Sequence, residues 1–441
     1  MPNTLNVAVV VGTRPEAIKL LPVIRELKAS EGFHPTVIST GQHERMVREV
    51  LALGGITPDI ELGVGYPGMP LNDLFTEIMD RFDKALRKNF GQPPQPGQGR
   101  LGSDQYPVTV LVHGDTSSAA AAALAAFHLR LSVNHIEAGM RTHSTLSPFP
   151  EELNRQLIAR LAAFHLAPTT LSKQNLIREG IDSDRILVTG NTGIDAVLWA
   201  AEQQTDYGDP VLDALDPHTR VVVVTAHRRE NWGEGLVGIG RGVQRAAADH
   251  PDVLFVVPLH PNPIVADTLR PLLAQSSNVH VTRPMDYVPF ARLLKRAVLA
   301  ISDSGGIQEE APSLGTPVLV TRDNTERTSG LNTGTLRLVG TDPDRIAAEA
   351  AVLLGDEQAH QKMAEAPNPY GDGHAARRIV QAFGHLTFNT TPPVPFGHGY
   401  RRSAVLGAAG LAPDRTFLDP LVTDPLVTEP LVTDPPGPDP V

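Results

Sequence analysis

No cysteine occurs among the 441 residues, which excludes disulfides, thiolate metal sites and a cysteine nucleophile together. Bases are in deficit: 38 Lys and Arg stand against 49 Asp and Glu, a formal net charge of −11 at pH 7. Nucleic-acid phosphates are held by clustered Lys and Arg, so this balance argues against a nucleic-acid partner. It leaves room for a small anion, which a few local cations or a helix N-terminus can hold. No apolar run approaches the roughly 18 residues of a membrane span. The short apolar run within residues 1–12 has no basic flank, so a buried strand and not a secretory signal is expected there. A soluble, cytoplasmic protein without a membrane partner is expected. No His-Glu-x-x-His occurs, and His227 and His260 fall at the ends of different predicted strands, so no metal is expected.

The acid excess is unevenly placed. Residues 413–441 hold six acids and one base, Arg415, a charge of −5 that leaves −6 for the rest. This end repeats a pentad: Asp419-Pro-Leu-Val-Thr, Asp424-Pro-Leu-Val-Thr, Glu429-Pro-Leu-Val-Thr. A proline at every fifth residue breaks helix and central strand alike. Residues 389–441 therefore read as a low-complexity, disordered acidic tail, and truncation shortly after Thr387 is expected to leave activity intact. Residues 91–106, with Pro93, Pro94, Pro96 and four glycines, read as an exposed loop insertion.

What remains alternates short β-branched runs with helical patterns, the rhythm of an α/β protein with parallel sheets. Residues 7–11 are apolar on both faces, as a central parallel strand should be. Thr13 offers an N-cap, Pro15 suits a first helical turn, and Ile18, Leu21, Ile24 and Leu27 recur at helical spacing. Further strands are predicted at 36–40, 108–113, 133–136, 164–167 and 186–189. A second series follows at 221–225, 253–258, 279–282, 298–302 and 317–321. Between the series, 205–219 carries Gly208, Pro210 and Pro217 without a period. This makes two doubly wound domains, 1–204 completed by a helix at 373–387, and 205–372. A ligand cleft is expected between the carboxyl ends of their strands.

Gly63-Val-Gly-Tyr-Pro-Gly68 satisfies a dinucleotide pattern as a string, but lies well past the first strand and contains Pro67, so it reads as a turn. The first turn, Gly12-Thr-Arg-Pro-Glu, has no second glycine; neither a bound NAD nor any other cofactor is expected. The phosphate signal lies in Ser302-Asp-Ser-Gly-Gly-Ile-Gln-Glu-Glu310, after a strand. There Gly305 and Gly306 let backbone amides approach an anion at a helix start. Glu310, one turn on, suits a ribose diol, or with Glu309 simply pairs with the helix dipole. Cations come from Arg14 and Lys19, and from Thr225-Ala-His-Arg-Arg-Glu-Asn231, where His227 is a phosphate or acid candidate. Three acids fall at strand ends or loops: Asp115, Glu137 and Glu151. Each could be a cap or an ion-pair partner. Converging in one cleft, they would shift one another's pKa values and suit general acid–base work.

These motifs, with Gly41-Gln-His, His113-Gly-Asp-Thr, Glu137-Ala-Gly, Pro150-Glu-Glu-x-Asn-Arg155, Gly190-Asn-Thr and His260-Pro-Asn-Pro, resemble the non-hydrolysing UDP-N-acetylglucosamine 2-epimerases over residues 5–387. The resemblance implies a glycosyltransferase-B-like fold of two Rossmann-like domains, commonly a homodimer. It also implies interconversion of UDP-N-acetylglucosamine and UDP-N-acetylmannosamine for surface polysaccharide, by elimination and readdition of UDP through a 2-acetamidoglucal. By resemblance Asp115, Glu137 and Glu151 are acid–base residues, Arg14 and His227 meet the diphosphate, and Lys19 is an active-site cation. Ser304, Gly305 and Gly306 would hold phosphate, Glu310 the ribose and the backbone near Phe290 the uracil. Arg327 would reach the substrate, although Thr-Ser follows it where members usually have Pro-Glu. Many members take a second UDP-N-acetylglucosamine as activator, through Gln42, His43 and the His260 region. Here the segment after Leu62 lacks the Arg that activated members often carry. Alternatives are a 2-epimerase of a UDP-2,3-diacetamido uronate sugar or a retaining glycosyltransferase of the same fold.

Overall fold

The structure, a computed structural model, describes residues 4–66, 68–93, 106–412 and 415–416. Thirteen strands form two sheets among these residues. The first holds β1 (Leu5–Val11), β2 (Phe33–Ser39), β3 (Ile60–Glu61), β4 (Thr109–His113), β5 (Ser132–Ile136), β6 (Phe164–Ala167) and β7 (Ile186–Val188). Its order is β3-β2-β1-β4-β5-β6-β7, with every pairing parallel. The second holds β8 (Arg220–Thr225), β9 (Val253–Pro258), β10 (Val279–Thr282), β11 (Leu299–Ser302), β12 (Val318–Val320) and β13 (Leu336–Leu338). Its order is β10-β9-β8-β11-β12-β13, again all parallel.

Alternation along the central strands explains why they are apolar throughout. Val7, Val9 and Val11 enter one core while Ala8 and Val10 enter the core on the opposite face. Val222 and Val224 are likewise separated from Val221 and Val223. Strand order reverses between β1 and β4 in the first sheet and between β8 and β11 in the second. A crevice opens outside the carboxyl ends of the strands at each such switch point. Gly12 follows β1 at the first of these. A Cβ there would fall 2.2 Å from Ser118 Oγ, so only glycine lets the helix Ser117–His128 come this close.

The prediction misses β3 and β13, edge strands of two and three residues, too short to show a period. A short helix, Pro210–Asp213, lies within the expected 205–219 linker. The tail expectation needs correction over 389–412. This segment packs on the first sheet, pairs with β7, and carries a helix, Arg402–Ala408, whose Val405 and Leu406 share the core of β1. The low-complexity pentads, and 94–105 of the expected insertion, lie outside the described residues. Tyr106, at the end of that insertion, is buried edge-on against Phe90. Among the described residues, no helix is long and apolar enough to cross a membrane.

Candidate active site

A cleft of about 600 Å³ joins both switch points. The first domain contributes Glu16 and Lys19 from the helix Arg14–Ala29, Asp115 after β4, Glu137 after β5, and Glu151 at the start of the helix Glu151–Leu161. The second contributes Gly306, Glu309 and Glu310 from the short helix Gly305–Glu310, with Arg327.

The three predicted acids meet here, each held differently. Glu137 has φ +63, a left-handed conformation costly for a side-chain-bearing residue and typical of functional positions. It pairs with Lys19, and His113 Nδ1 stands 3.9 Å from its other oxygen. Burial pushes the Glu137 carboxyl up, but Lys19 and His113 outweigh this and hold it at about 2. Asp115 is driven the opposite way. Burial raises it, the Arg155 guanidinium 2.6 Å away lowers it, and the charge of Glu137 adds to the rise. The helix Glu151–Leu161 explains the Glu-Glu-x-Asn-Arg spacing: Arg155 also grips Glu152 at 2.9 Å, and Asn154 Nδ2 donates to Asp115 O at 2.9 Å. Glu151 Oε2 is buried without a hydrogen-bond partner among the described residues. Burial drives His113 down to about 4, so its ring is neutral at physiological pH.

Across the cleft, Gly305 lies under two guanidiniums. A Cβ on it would sit 2.9 Å from Arg327 Cζ and 3.1 Å from Arg228 Nη2. Arg327 Nε donates to Glu309 Oε1 at 2.9 Å, and Glu309 Oε2 accepts from Asn191 Nδ2 of the first domain at 2.8 Å. Glu309 thus ties the domains together, a role sequence reasoning reads only as dipole pairing. A backbone amide pair with two Arg side chains is well suited to a diphosphate.

Of the other predicted residues, Gln42 and His43 line the cleft. Arg14, His227, His260, Phe290, Ser304 and Gly305 are not part of its lining. Arg14 opens its helix and Ser304 caps the glycine helix. Phe290 packs on the second-domain core. His227 is braced by Asp303, which takes its backbone amide at 3.0 Å and faces its Nδ1 at 3.3 Å, and its ring stacks on His260 with centroids 5.3 Å apart. Sequence reasoning misses Glu16, Asn191, His113, Arg155 and Arg228 as site residues. All five lie inside the motifs quoted above, but nothing in those strings separates them from the neighbours singled out there.

Comparison with known proteins agrees with this geometry. Residues 25–384 match the family model described as UDP-N-acetylglucosamine 2-epimerase. The chain belongs to the UDP-N-acetylglucosamine 2-epimerase family. It is 43% identical over 387 residues to the UDP-N-acetylglucosamine 2-epimerase of Salmonella typhimurium, covering 86% of this chain and 98% of that protein. The Neisseria meningitidis UDP-GlcNAc 2-epimerase structure, bound to UDP-GlcNAc, is 41% identical with a TM-score of 0.71, covering 86% and 99%. The Methanocaldococcus jannaschii enzyme, in complex with UDP-GlcNAc and UDP, is 29% identical with a TM-score of 0.65, covering 86% and 100%.

Within this epimerase-family cleft, Glu310 carries a pH signature. Burial pushes its carboxyl from 4.5 up to about 8, Glu309 acting the same way and Lys19 against it. The folded chain then keeps a proton that the unfolded chain has released, so stability falls as pH rises from about 4.5 to about 8. Glu310→Gln is expected to flatten this fall, melting several degrees above the parent at pH 8 and close to it at pH 5. Parallel Tm curves for the two proteins across that range would refute the assignment.

Proposed function

We propose that this protein inverts C2 of UDP-N-acetylglucosamine, giving UDP-N-acetylmannosamine, by elimination and readdition of UDP. One observation carries the reading: Asp115, Glu137 and Glu151 share a single cleft with Gly306 and Arg327, and the adjoining Gly305 lies under Arg327 and Arg228. The C2 proton is not acidic while C1 is an ordinary acetal. As the C1–O bond breaks, its electron pair passes to the β-phosphate oxygen, where Arg327, Arg228 and the amides at Gly305 and Gly306 stabilise the charge. The cationic character left at C1 lets a carboxylate remove the C2 proton, giving 2-acetamidoglucal and bound UDP. Readdition of UDP, with a proton delivered to the other face of C2, yields the epimer.

Exchange on two faces calls for two acid–base groups. Asp115 and Glu137, pushed in opposite directions by their surroundings, fit that division. Glu151, with an unpartnered oxygen in the cleft, is the third candidate. Lys19 holds Glu137 ionised, and Glu310 is placed for the ribose diol. Co-crystallisation of the Neisseria and Methanocaldococcus neighbours with UDP-GlcNAc supports this choice of substrate.

Two labels test the reading in one incubation. In deuterated water, both UDP-linked sugars should acquire deuterium at C2. An ¹⁸O label in the C1–O–P bridge should scramble into the non-bridging β-phosphate positions. Free N-acetylmannosamine without a UDP-linked product, or C2 inversion without label scrambling, would overturn it.

A further inference from the structure

At the switch point of a doubly wound sheet, the turn after the first strand usually offers open amides to a phosphate. Here those amides are taken. Four donors converge on Glu16: Gly12 N at 3.1 Å, Thr13 N at 2.7 Å, Thr13 Oγ1 at 2.8 Å and Thr116 Oγ1 at 2.8 Å. A capping box accounts for the Thr13 amide, since Glu16 is the third residue of its helix. It does not account for the Gly12 amide, for a hydroxyl reaching over from the β4 turn, or for a carboxylate only 3% exposed that still lines the cleft.

We propose that Glu16 is the resident anion of the first domain, a specificity-determining residue that fills its phosphate nest and so directs the ligand's diphosphate to the second-domain glycine turn. This rests on the UDP-sugar reading above. The reactive end of the ligand is then left against Asp115, Glu137 and Glu151. A nucleotide sugar in the reverse orientation would bring its diphosphate against a buried carboxylate with no free donors. Through Thr116 the same carboxylate also ties the β1 turn to the β4 turn, next to Asp115. Glu16 is therefore a positioning residue as well.

The test opens the nest and asks whether phosphate enters. Burial pushes the Glu16 carboxyl up to about 7 against the pull of its four donors, so measurements belong at pH 8, where it is ionised. The full-length protein is saturated with UDP, which occupies the second-domain turn, and titrated with inorganic phosphate at constant ionic strength. Glu16→Ala should gain one phosphate site of roughly millimolar affinity, seen by calorimetry and as a phosphate-dependent rise in Tm. Its KM for UDP-N-acetylglucosamine should rise about tenfold, a loss of about 1.4 kcal/mol, and phosphate should compete with substrate. The parent should gain no such site. If Glu16→Ala does not fold, Glu16→Ser, which also empties the nest but keeps a small polar side chain, should show the same phosphate response. No added phosphate site in either variant, or an equal site in the parent, overturns the proposal. Phosphate binding needs no turnover, so it is read independently of the epimerase assay.

Discussion

Glu137→Gln should lower kcat by about a hundredfold to ten-thousandfold, the range general acid–base groups contribute, while the protein stays folded. The substitution keeps shape and removes charge. Glu137 is half-buried at φ +63 and pairs with Lys19, so its removal leaves a cation facing the cleft without its nearest anion. Glu309 and Asp115 act on Lys19 as well, which limits the structural damage. Asp115→Asn removes the group whose proton affinity burial raises, and Arg155 then loses one of its two carboxylate partners. Glu151→Gln touches an oxygen that bonds to nothing among the described residues, so its effect on stability should be the smallest of the three. The three variants therefore separate chemistry from structure. Rates of C2 exchange in deuterated water, with Tm as the control, supply the measurement. Unchanged exchange in all three would remove the carboxylates from the mechanism.

Legibility in the sequence follows the range of the interaction. Buried parallel strands such as β1 and β8 are readable because both faces are apolar over five and four consecutive residues, 7–11 and 221–224. The two-residue β3 is defined by its neighbour β2 and has no pattern of its own. In the site, Asp115, Glu137 and the Gly305–Gly306 turn are readable because they follow strands and the chemistry requires their residue types. Glu309 is not, because its partners are Arg327, eighteen positions on, and Asn191, in the other domain. Glu16 hides for another reason. Its spacing is that of an ordinary helix start, and the further task shows in the bonds from the Gly12 amide and from Thr116, a hundred positions away.

Truncation after residue 388 should lower Tm by roughly 5–10 °C, whereas truncation after residue 412 should leave Tm and turnover unchanged. The difference comes from a segment whose sequence is proline-rich and aperiodic. Phe396 N donates to Val188 O, and Val188 N to His398 O, each at 2.9 Å, so the edge strand β7 of the first sheet is paired and covered. Lys173 Nζ, whose pKa burial lowers, donates to Gly399 O at 3.0 Å and would lose one of its three carbonyl acceptors. Tyr400 lies 4.8 Å from Phe164, and Val405, Leu406 and Leu411 are buried in the core that contains Val7 and Val9. Three buried aliphatic side chains contribute roughly 5–9 kcal/mol gross. Ordering the segment offsets part of this, leaving a few kcal/mol, and each should shift Tm by about 2–4 °C in a domain of this size. The loss should also reach the cleft. Arg378 binds Val394 O at 3.0 Å and Thr189 O at 3.0 Å, beside Asn191, whose side chain holds Glu309. Without residues 389–412 that crossing loses a brace, so KM should rise more than kcat falls. Equal Tm and KM for the two truncations would show that the segment merely lies on the domain, and would restore the simpler reading of a dispensable tail from Asn389 onward.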